Sequence, residues 1–388
     1  MSWYYPVMVP RPAARRAVQD ALARAPVASI LGPRQCGKTT LARSVAGSRA
    51  EYFDLERPSD VARLAAPMTA LEPLRGLVVL DEIQRLPSLY EVLRVLVDRP
   101  RNRARFLILG SADPRLVRGI SESLAGRVAH VDIGGFDLEE VGPARLRRLW
   151  LRGGFPRSFL ARSERAGAAW REDYIRDFLH RDLAQLTGRV APVTVGRFWN
   201  MLAHFHGGMW NAAEFARSLG SSEATARHYL DLLTGAWLVR QLPPWFENLG
   251  KRQVRSPKVY VRDAGLLHAL LGLARERDLM GHVKCGASWE GFAVEQVLCA
   301  LRARQAYFWA THQGAELDLL VFARGKRLGF EMKLTDAPTV TKSMRIAQED
   351  LRLDRLFVVT PSGAGFQMAP RIEALPLGAA PRLLARFR

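Results

Sequence analysis

At 388 residues, 48% of them apolar, the chain exceeds what one hydrophobic core usually supports, so two or three domains with substantial interiors are expected. Its three cysteines, Cys36, Cys285 and Cys299, lie far apart without a Cys-x-x-Cys pair, and its apolar runs break well short of the ~18 residues of a membrane span. These features speak against a disulfide framework, a zinc site and a membrane span and for a cytoplasmic chain, while 57 basic against 38 acidic residues, a net charge of +19, point to an acidic partner, nucleic acid first.

In the first segment, Val27 to Leu31 is a short apolar run and Thr39 to Val45 reads as the start of a helix. Between them stands Gly32-Pro33-Arg34-Gln35-Cys36-Gly37-Lys38-Thr39-Thr40. A glycine-rich loop between strand and helix can aim backbone N–H groups and a helix N-terminus at phosphates, with Lys38 on the β and γ phosphates and the Thr39 hydroxyl on Mg²⁺. Tyr52 and Phe53, Leu77 to Leu80, Phe106 to Leu109 and Val128 to Ile133 read as further strands, and their alternation with helical stretches implies a parallel sheet covered on both faces. Asp81 then emerges at a strand's C-terminal end, placed for the Mg²⁺ shell, and Glu82 is placed to orient and deprotonate an attacking water. Gly110-Ser111 can set a polar group near the γ-phosphate. Arg118 and Arg127 follow, able either to reach a neighbouring subunit's nucleotide or to be solvated surface charge. Guanine-selecting Asn-Lys-x-Asp and transporter-type Leu-Ser-Gly-Gly-Gln are both missing from the sequence, which favours ATP.

Positive charge is densest between residues 151 and 275. Residues 150 to 205 read as amphipathic helices interrupted by Gly153-Gly154 and Pro156. Asn211 with Glu214 resembles a capping box opening a helix over Ala212 to Leu219; Gly220 stops it, and Ser221 or Ser222 starts a second helix running to about Leu233. Trp237 to Gln241 and Val259 to Val261 read as strands of a wing joined by a loop that carries Lys251, Arg252, Arg255 and Lys258. Those four, with Arg227 and His228 on the second helix, are the candidate DNA contacts; helix pairs of this kind also serve as plain structure.

In the third segment, Glu316-Leu317-Asp318-Leu319-Leu320-Val321 alternates as a strand does, Arg324-Gly325-Lys326 is a turn, and Leu328 to Leu334 returns with Glu331-Met332-Lys333. Glu331 and Lys333 share a face, and an even turn would set Asp318 opposite one of them, whereas an odd loop would need a bulge. Two carboxylates and an ammonium suit a metal-dependent phosphodiesterase, Asp318 and Glu331 holding Mg²⁺ while Lys333 positions water or steadies charge; surface ion pairing is the competing reading. A third carboxylate, Glu290, comes from a helix expected over Ser288 to Leu301, on its apolar face, while Glu295 falls on the polar side with Arg302. Only seven lysines occur beside fifty arginines, and Lys38 and Lys333 are two of them.

Gly-Pro-Arg-Gln-Cys-Gly-Lys-Thr-Thr, Leu-Asp-Glu-Ile-Gln, Gly-Ser at 110, Ser-Leu-Ala-Gly-Arg at 123, Gly-Gly-Phe-Pro at 153, Arg-Asp-Ala-Gly-Leu-Leu at 262 and the Glu-Leu-Asp with Glu-Met-Lys pair together resemble a bacterial and archaeal family of ATPases. Its members join an AAA-type N-terminal domain to a C-terminal domain of unknown function, DUF4143, and the resemblance covers nearly the whole chain. The expected α/β architecture has a P-loop AAA+ core over residues 1–145, a helical lid or connector over 146–205, a winged helix-turn-helix over 206–275 and, as the resemblance implies, a PD-(D/E)xK nuclease-like domain over 276–388. The resemblance also implies a homo-oligomeric ring such as a hexamer, with Arg127 as the arginine acting in trans. The expected activity is ATP hydrolysis, with Mg²⁺, controlling engagement of nucleic acid, DNA foremost. The alternative is a nucleotide-gated regulatory or toxin-related binding module with a silent nuclease fold.

Overall fold

A computed structural model describes residues 9–100, 102–111, 120, 122–184, 190–247, 254–303 and 305–388; the side chain of Ser111 and the residues Arg118, Lys251 and Arg252 lie outside that description. The chain divides into two compact units, one of residues up to 135 with 235–237, the other of 136–234 with 238–388.

In the first unit, helix α1 (Pro12–Arg24) precedes five strands, β1 (Val27–Gly32), β2 (Glu51–Asp54), β3 (Gly76–Asp81), β4 (Ala104–Ser111) and β5 (Val128–Asp132). They pair in the order β2-β3-β4-β1-β5, every neighbour parallel. Each strand expected here from apolar patterning forms, because strands covered on both faces read as nearly continuous Val, Ile and Leu. β1 is buried along its whole length. Helix α2 (Lys38–Ala46) follows β1 directly, and α3 (Leu89–Val97) closes one face by packing Leu89, Leu93 and Leu96 onto Phe53, Val78, Leu80, Phe106 and Ile108.

The second unit begins with helices α4 (Leu146–Arg152), α5 (Glu164–Asp177) and α6 (Pro192–His204). Next come α7 (Ala212–Leu219), which Asn211 caps and left-handed Gly220 ends, and α8 (Glu223–Gly235). The two predicted wing strands pair as antiparallel β6 (Val239–Leu242) and β7 (Lys258–Val261). Trp237 does not belong to β6: at φ 63° it turns the chain instead, and the strand starts two residues later.

After helix α9 (Ala264–Leu270) comes α10 (Cys285–Leu301), then β8 (Ala306–Ala310), β9 (Glu316–Ala323), β10 (Lys326–Met332), helix α11 (Lys342–Asp350), β11 (Arg355–Thr360), β12 (Phe366–Ala369) and β13 (Ile372–Pro376). The six strands form one mixed sheet in the order β12-β13-β11-β10-β9-β8. Leu317, Leu320, Leu356, Val358 and Ile372 pack with Met344, Ala347 and Leu351 from around α11 into a single core cluster. The β9–β10 hairpin turns on two residues, Arg324 at φ 47° and Gly325 at φ 74°, and aligns Ala323 with Lys326 through to Leu319 with Phe330. Two left-handed residues in a two-residue loop suit the right-handed twist of the flanking strands. The same register carried one step further sets Asp318 opposite Glu331.

Candidate functional sites

The P-loop leaves β1 at Gly32 and wraps back to open α2, with Gln35 at φ 61° and Gly37 at φ 98°. A side chain at Gly37 would strain a conformation that the loop needs in order to turn its amides inward. Lys38 is buried and donates to the carbonyls of Gly32, at 3.0 Å, and Pro33, at 2.8 Å. Its ammonium is thus held inside the loop, against oxygens that a phosphate can replace. Cys36 is buried against the loop, in keeping with a small space-filling residue. Pro33, Arg34 and Thr40 complete the stretch; of these Arg34 is half-buried and Thr40 exposed.

Asp81 closes β3 and is only 3% exposed. The Thr39 hydroxyl donates to its Oδ2 at 2.8 Å, so the first helical residue after the loop lysine and the strand-end carboxylate meet directly. Tyr52 donates to the same oxygen at 2.6 Å from β2, the strand paired with β3. Asp81 Oδ1 is buried with no hydrogen-bond partner among the described residues. A buried carboxylate oxygen without a donor is costly unless a cation arrives. Glu82 follows in a left-handed conformation, φ 56°, and the Gln84 amide donates to its carboxylate. Burial pushes the Glu82 carboxyl above its ordinary range, against the opposing pull of Lys38, which suits a group that must take a proton.

Two residues of this region went unread in the sequence. Arg11, just before α1, donates to the Cys36 carbonyl at 3.1 Å and to the carbonyls of Gly134 and Gly135 at 3.3 and 3.2 Å, bracing the P-loop against the end of β5. Tyr52 is the other. One arginine among fifty carries no signal, and Tyr52 in a short apolar strand looks like core. Arg127 makes a two-pronged pair with Asp98, both contacts 2.7 Å, an arrangement open to solvent within this chain.

The second cluster lies wholly in the other unit. Asp318 on β9 is buried and accepts the Met332 N–H at 2.8 Å, Glu331 on β10 is buried, and Lys333 donates to Glu331 at 2.8 Å. Glu290 of α10 joins them through a residue expected elsewhere. Lys258, only 4% exposed, extends its Nζ to 3.0 Å from Glu290, 3.6 Å from Asp318 and into contact with Glu316. Tyr260, two residues on along β7, donates to the same Glu290 oxygen at 2.7 Å. Lys258 therefore leaves the set of exposed phosphate contacts: it is the first residue of β7, pairs with Leu242 and faces inward. Arg255 is exposed, as are Arg227, which pairs with Glu223 one turn earlier at 3.2 Å, and His228.

Burial first, then the nearby Glu290 and Glu331, pushes the Asp318 carboxyl well above the usual carboxylate range. Burial also raises the Glu331 carboxyl, against the pull of Lys333. Although burial opposes it, Tyr260, Glu290, Asp318 and Glu316 hold the Lys258 ammonium above the ordinary lysine range. Among the described residues no group of three or more His, Cys, Asp or Glu side chains is arranged to hold a metal ion. With an ammonium between Glu290, Glu316 and Asp318, these carboxylates as they stand do not fit a divalent ion. Glu316 was readable as a member: it precedes Asp318 by two on one strand, hence lies on the same face.

The helix bearing Glu290 also differs from its expected amphipathic form. Buried residues run along nearly all of α10, Glu295 among them. Glu295 takes Arg240 and Arg262, the latter at 3.2 Å, as partners; against burial, these two guanidiniums hold its carboxyl down to about 2. A polar position on a helical wheel here marks a buried ion triad rather than a solvent face. Arg262 belongs to the Arg-Asp-Ala-Gly-Leu-Leu stretch, and the next residue explains the Gly-Gly-Phe-Pro stretch. Asp263 accepts the Gly154 N–H at 2.7 Å and caps α9 through the Leu266 N–H at 2.9 Å. A Cβ on Gly265 would stand 2.2 Å from the Arg152 carbonyl oxygen, and one on Gly153 would stand 2.0 Å from Asp263 Oδ1. These motifs are the two halves of one close backbone contact.

Family models match residues 24–142 as an AAA domain, 143–277 as a domain of unknown function, DUF8612, and 285–380 as a domain of unknown function, DUF4143. Uncharacterized proteins of Mycobacterium bovis and Mycobacterium tuberculosis are each 53% identical to this chain over 371 residues, which is 95% of this chain and 84% of theirs. The chain belongs to their family, that of AAA-type ATPases with a DUF4143 domain. It is a P-loop ATPase, and its first unit is the AAA domain. The Walker-type ATPase of Pyrococcus abyssi has a similar fold, with a TM-score of 0.50 at 16% identity over 68% of this chain and 96% of that one. Among the described residues no helix is long and apolar enough to cross a membrane.

Proposed function

We propose that this AAA ATPase uses ATP with Mg²⁺, and that its nucleotide state controls engagement of nucleic acid, DNA foremost, by the second unit. One observation carries the nucleotide half: buried Asp81 meets Thr39 at 2.8 Å and keeps its other oxygen without a donor. Thr39 and Asp81 would hold Mg²⁺, which neutralises phosphate charge when bound. Lys38 would release the loop carbonyls for β and γ phosphates and Glu82 would take the proton of the attacking water, with Ser111 near the γ-phosphate. Arg127 would exchange Asp98 for a neighbouring subunit's nucleotide in a homo-oligomeric ring.

The nucleic-acid half rests on the net charge of +19 and on exposed Arg227, His228 and Arg255, placed around a helix pair followed by a two-stranded sheet, the pattern of a winged helix-turn-helix. Lys251 and Arg252 belong to the same proposed surface. The C-terminal domain, read as a PD-(D/E)xK nuclease-like fold, acts here as a binding module, because Lys258 lies where its carboxylates would gather a metal. The same observation favours the second reading, a nucleotide-gated regulatory module with a silent nuclease fold.

The test measures ATP turnover of the full chain alone and with duplex DNA, single-stranded DNA and RNA, together with binding at increasing salt. Stimulation by at least one nucleic acid is expected, with an affinity that falls steeply with salt. Neutralising Arg227 and Arg255 together should flatten the log–log salt slope by about two. Turnover indifferent to every nucleic acid, with no binding at low salt, would leave the ATPase standing and remove the nucleic-acid half.

A further inference from the structure

Lys258 is a buried cation supplied by one part of the second unit to the carboxylates of another. Its strand, β7, pairs with β6 and is bonded along its other side to the residues that lead into α7: Gly207 N–H donates to the Val259 carbonyl at 2.9 Å, Val259 N–H to Gly208 at 3.0 Å, and Trp210 N–H to Pro257 at 2.8 Å. The side chain then reaches Glu290 on α10 and Glu316 and Asp318 on β9, with the Phe308 ring 5.7 Å away. Tyr260 fixes the Glu290 oxygen that Lys258 uses. Asp318 is buried and Glu290 and Glu316 are partly open to solvent, and a cation among three carboxylates so close together offsets their mutual repulsion.

We propose that Lys258 is the resident cation of this carboxylate site and competes with divalent metal for Glu290, Glu316 and Asp318. The chain's own ammonium fills the position, so the site takes up no divalent ion while β7 is in place. An ion that did enter would have to expel Lys258, and the expelled residue is part of the strand that holds the start of the α7–α8 helix pair. Entry of metal and loosening of that strand are then one event. The inference uses neither ATP turnover nor nucleic-acid binding and stands or falls apart from them.

Mn²⁺ binding to the full chain tests it, measured by titration calorimetry and by the loss of free Mn²⁺ resonance signal. Every protein carries Asp81→Asn, and no nucleotide is added, so that the P-loop takes no ion. Lys258→Met retains the stem of the side chain and removes the charge. This variant should gain one Mn²⁺ site at least about tenfold tighter than any in the Lys258 parent, since a like charge within 4 Å is removed. The added Asp318→Asn exchange should abolish that site. A Lys258 parent that binds Mn²⁺ as tightly, in a manner lost with Asp318→Asn, overturns the proposal, as does a folded Lys258→Met chain that gains no site. If circular dichroism shows Lys258→Met unfolded, the parent and its Asp318→Asn form decide alone: binding that depends on Asp318 overturns the proposal, and equal weak binding by both supports it.

Discussion

Asp81 and Glu82 are adjacent carboxylates with opposite surroundings. Asp81 accepts hydrogen bonds from Thr39 and Tyr52, whereas Glu82, on a left-handed backbone, is raised by burial and accepts from the Gln84 amide. The proposed mechanism assigns the cation to Asp81 and the proton of the attacking water to Glu82. Lys38→Ala should therefore abolish nucleotide binding, followed with a fluorescent ATP analogue. Glu82→Gln should bind the analogue normally and lose about 10²- to 10⁴-fold in turnover, the usual worth of a positioned base. Unchanged hydrolysis in Glu82→Gln would take that residue out of the mechanism. The loop and both carboxylates were legible because their spacing works only between a strand and a helix, and the sequence displays both. Lys258 was misread for the converse reason. A basic stretch ahead of a strand does not show which residue is the first to turn inward, and only the burial of Lys258 against Glu290 and Asp318 settles it. Lysine scarcity was the better guide: of seven lysines, Lys38, Lys258 and Lys333 all stand against buried loop carbonyls or carboxylates.

Elements were readable where a single periodicity governs them. The β9–β10 hairpin obeys strand alternation, and its even turn brings Asp318 and Glu331 together. Helix α10 defeats the same logic, since a helical wheel presumes a solvent side and this helix is buried almost all round. Nor does any periodicity reveal that Gly153-Gly154 and Gly265, more than a hundred residues apart, touch. Gly265→Ala should destabilise the second unit by roughly 1–3 kcal/mol, because its methyl meets a backbone carbonyl that has no flexible end to yield. Gly286→Ala is the control: no atom lies within 4 Å of its added Cβ, and in a helix alanine should leave stability unchanged or raise it by up to about 1 kcal/mol. Urea unfolding followed by tryptophan fluorescence compares them. Equal midpoints for the two variants would show that the α4–α9 contact adjusts more easily than its geometry suggests.

On the scale of the whole chain, boundaries are expected near 145, 205 and 275, and residues 136–234 and 238–388 form one compact unit that contains shared buried polar networks. One of these spans three helices. Trp150 Nε1–H donates to Ser288 Oγ at 3.0 Å, Ser288 lies 2.7 Å from His268 Nε2, and His268 Nδ1 lies 3.0 Å from the Leu151 carbonyl. A carbonyl only accepts, so Nδ1 carries the proton and Nε2 accepts from the serine hydroxyl, leaving the imidazole neutral. Such networks join distant segments, and no local pattern announces them.

Burial lowers His268 from 6.5 to about 4, and His206, whose Nδ1 accepts the Val261 N–H at 3.0 Å, from 6.5 to about 3. In the unfolded chain both take up a proton as pH falls below about 6.5, while the folded chain does not. The stability they contribute is thus fully present above pH 6.5 and is lost as pH falls toward their folded values, by up to about 1.4 kcal/mol per pH unit for each. Glu295 acts in the same direction at lower pH, between its ordinary 4.5 and about 2. Asp318, Glu331 and Asp263 act oppositely, because their raised folded values let the native state take protons first. The total pH profile therefore mixes signs, and a difference between two chains isolates one histidine. His268→Gln keeps a donor and an acceptor but cannot titrate. Unfolding of the second unit, followed by its tryptophans, should give a stability gap between wild type and this variant that shrinks as pH is lowered from 6.5 to 4.5, whatever the gap is at pH 7. Parallel curves across that range would mean that His268 takes up its proton as readily in the folded chain as in the unfolded one, and the Ser288–His268 hydrogen bond would then run from Nε2–H to the serine oxygen while Trp150 still donates to it.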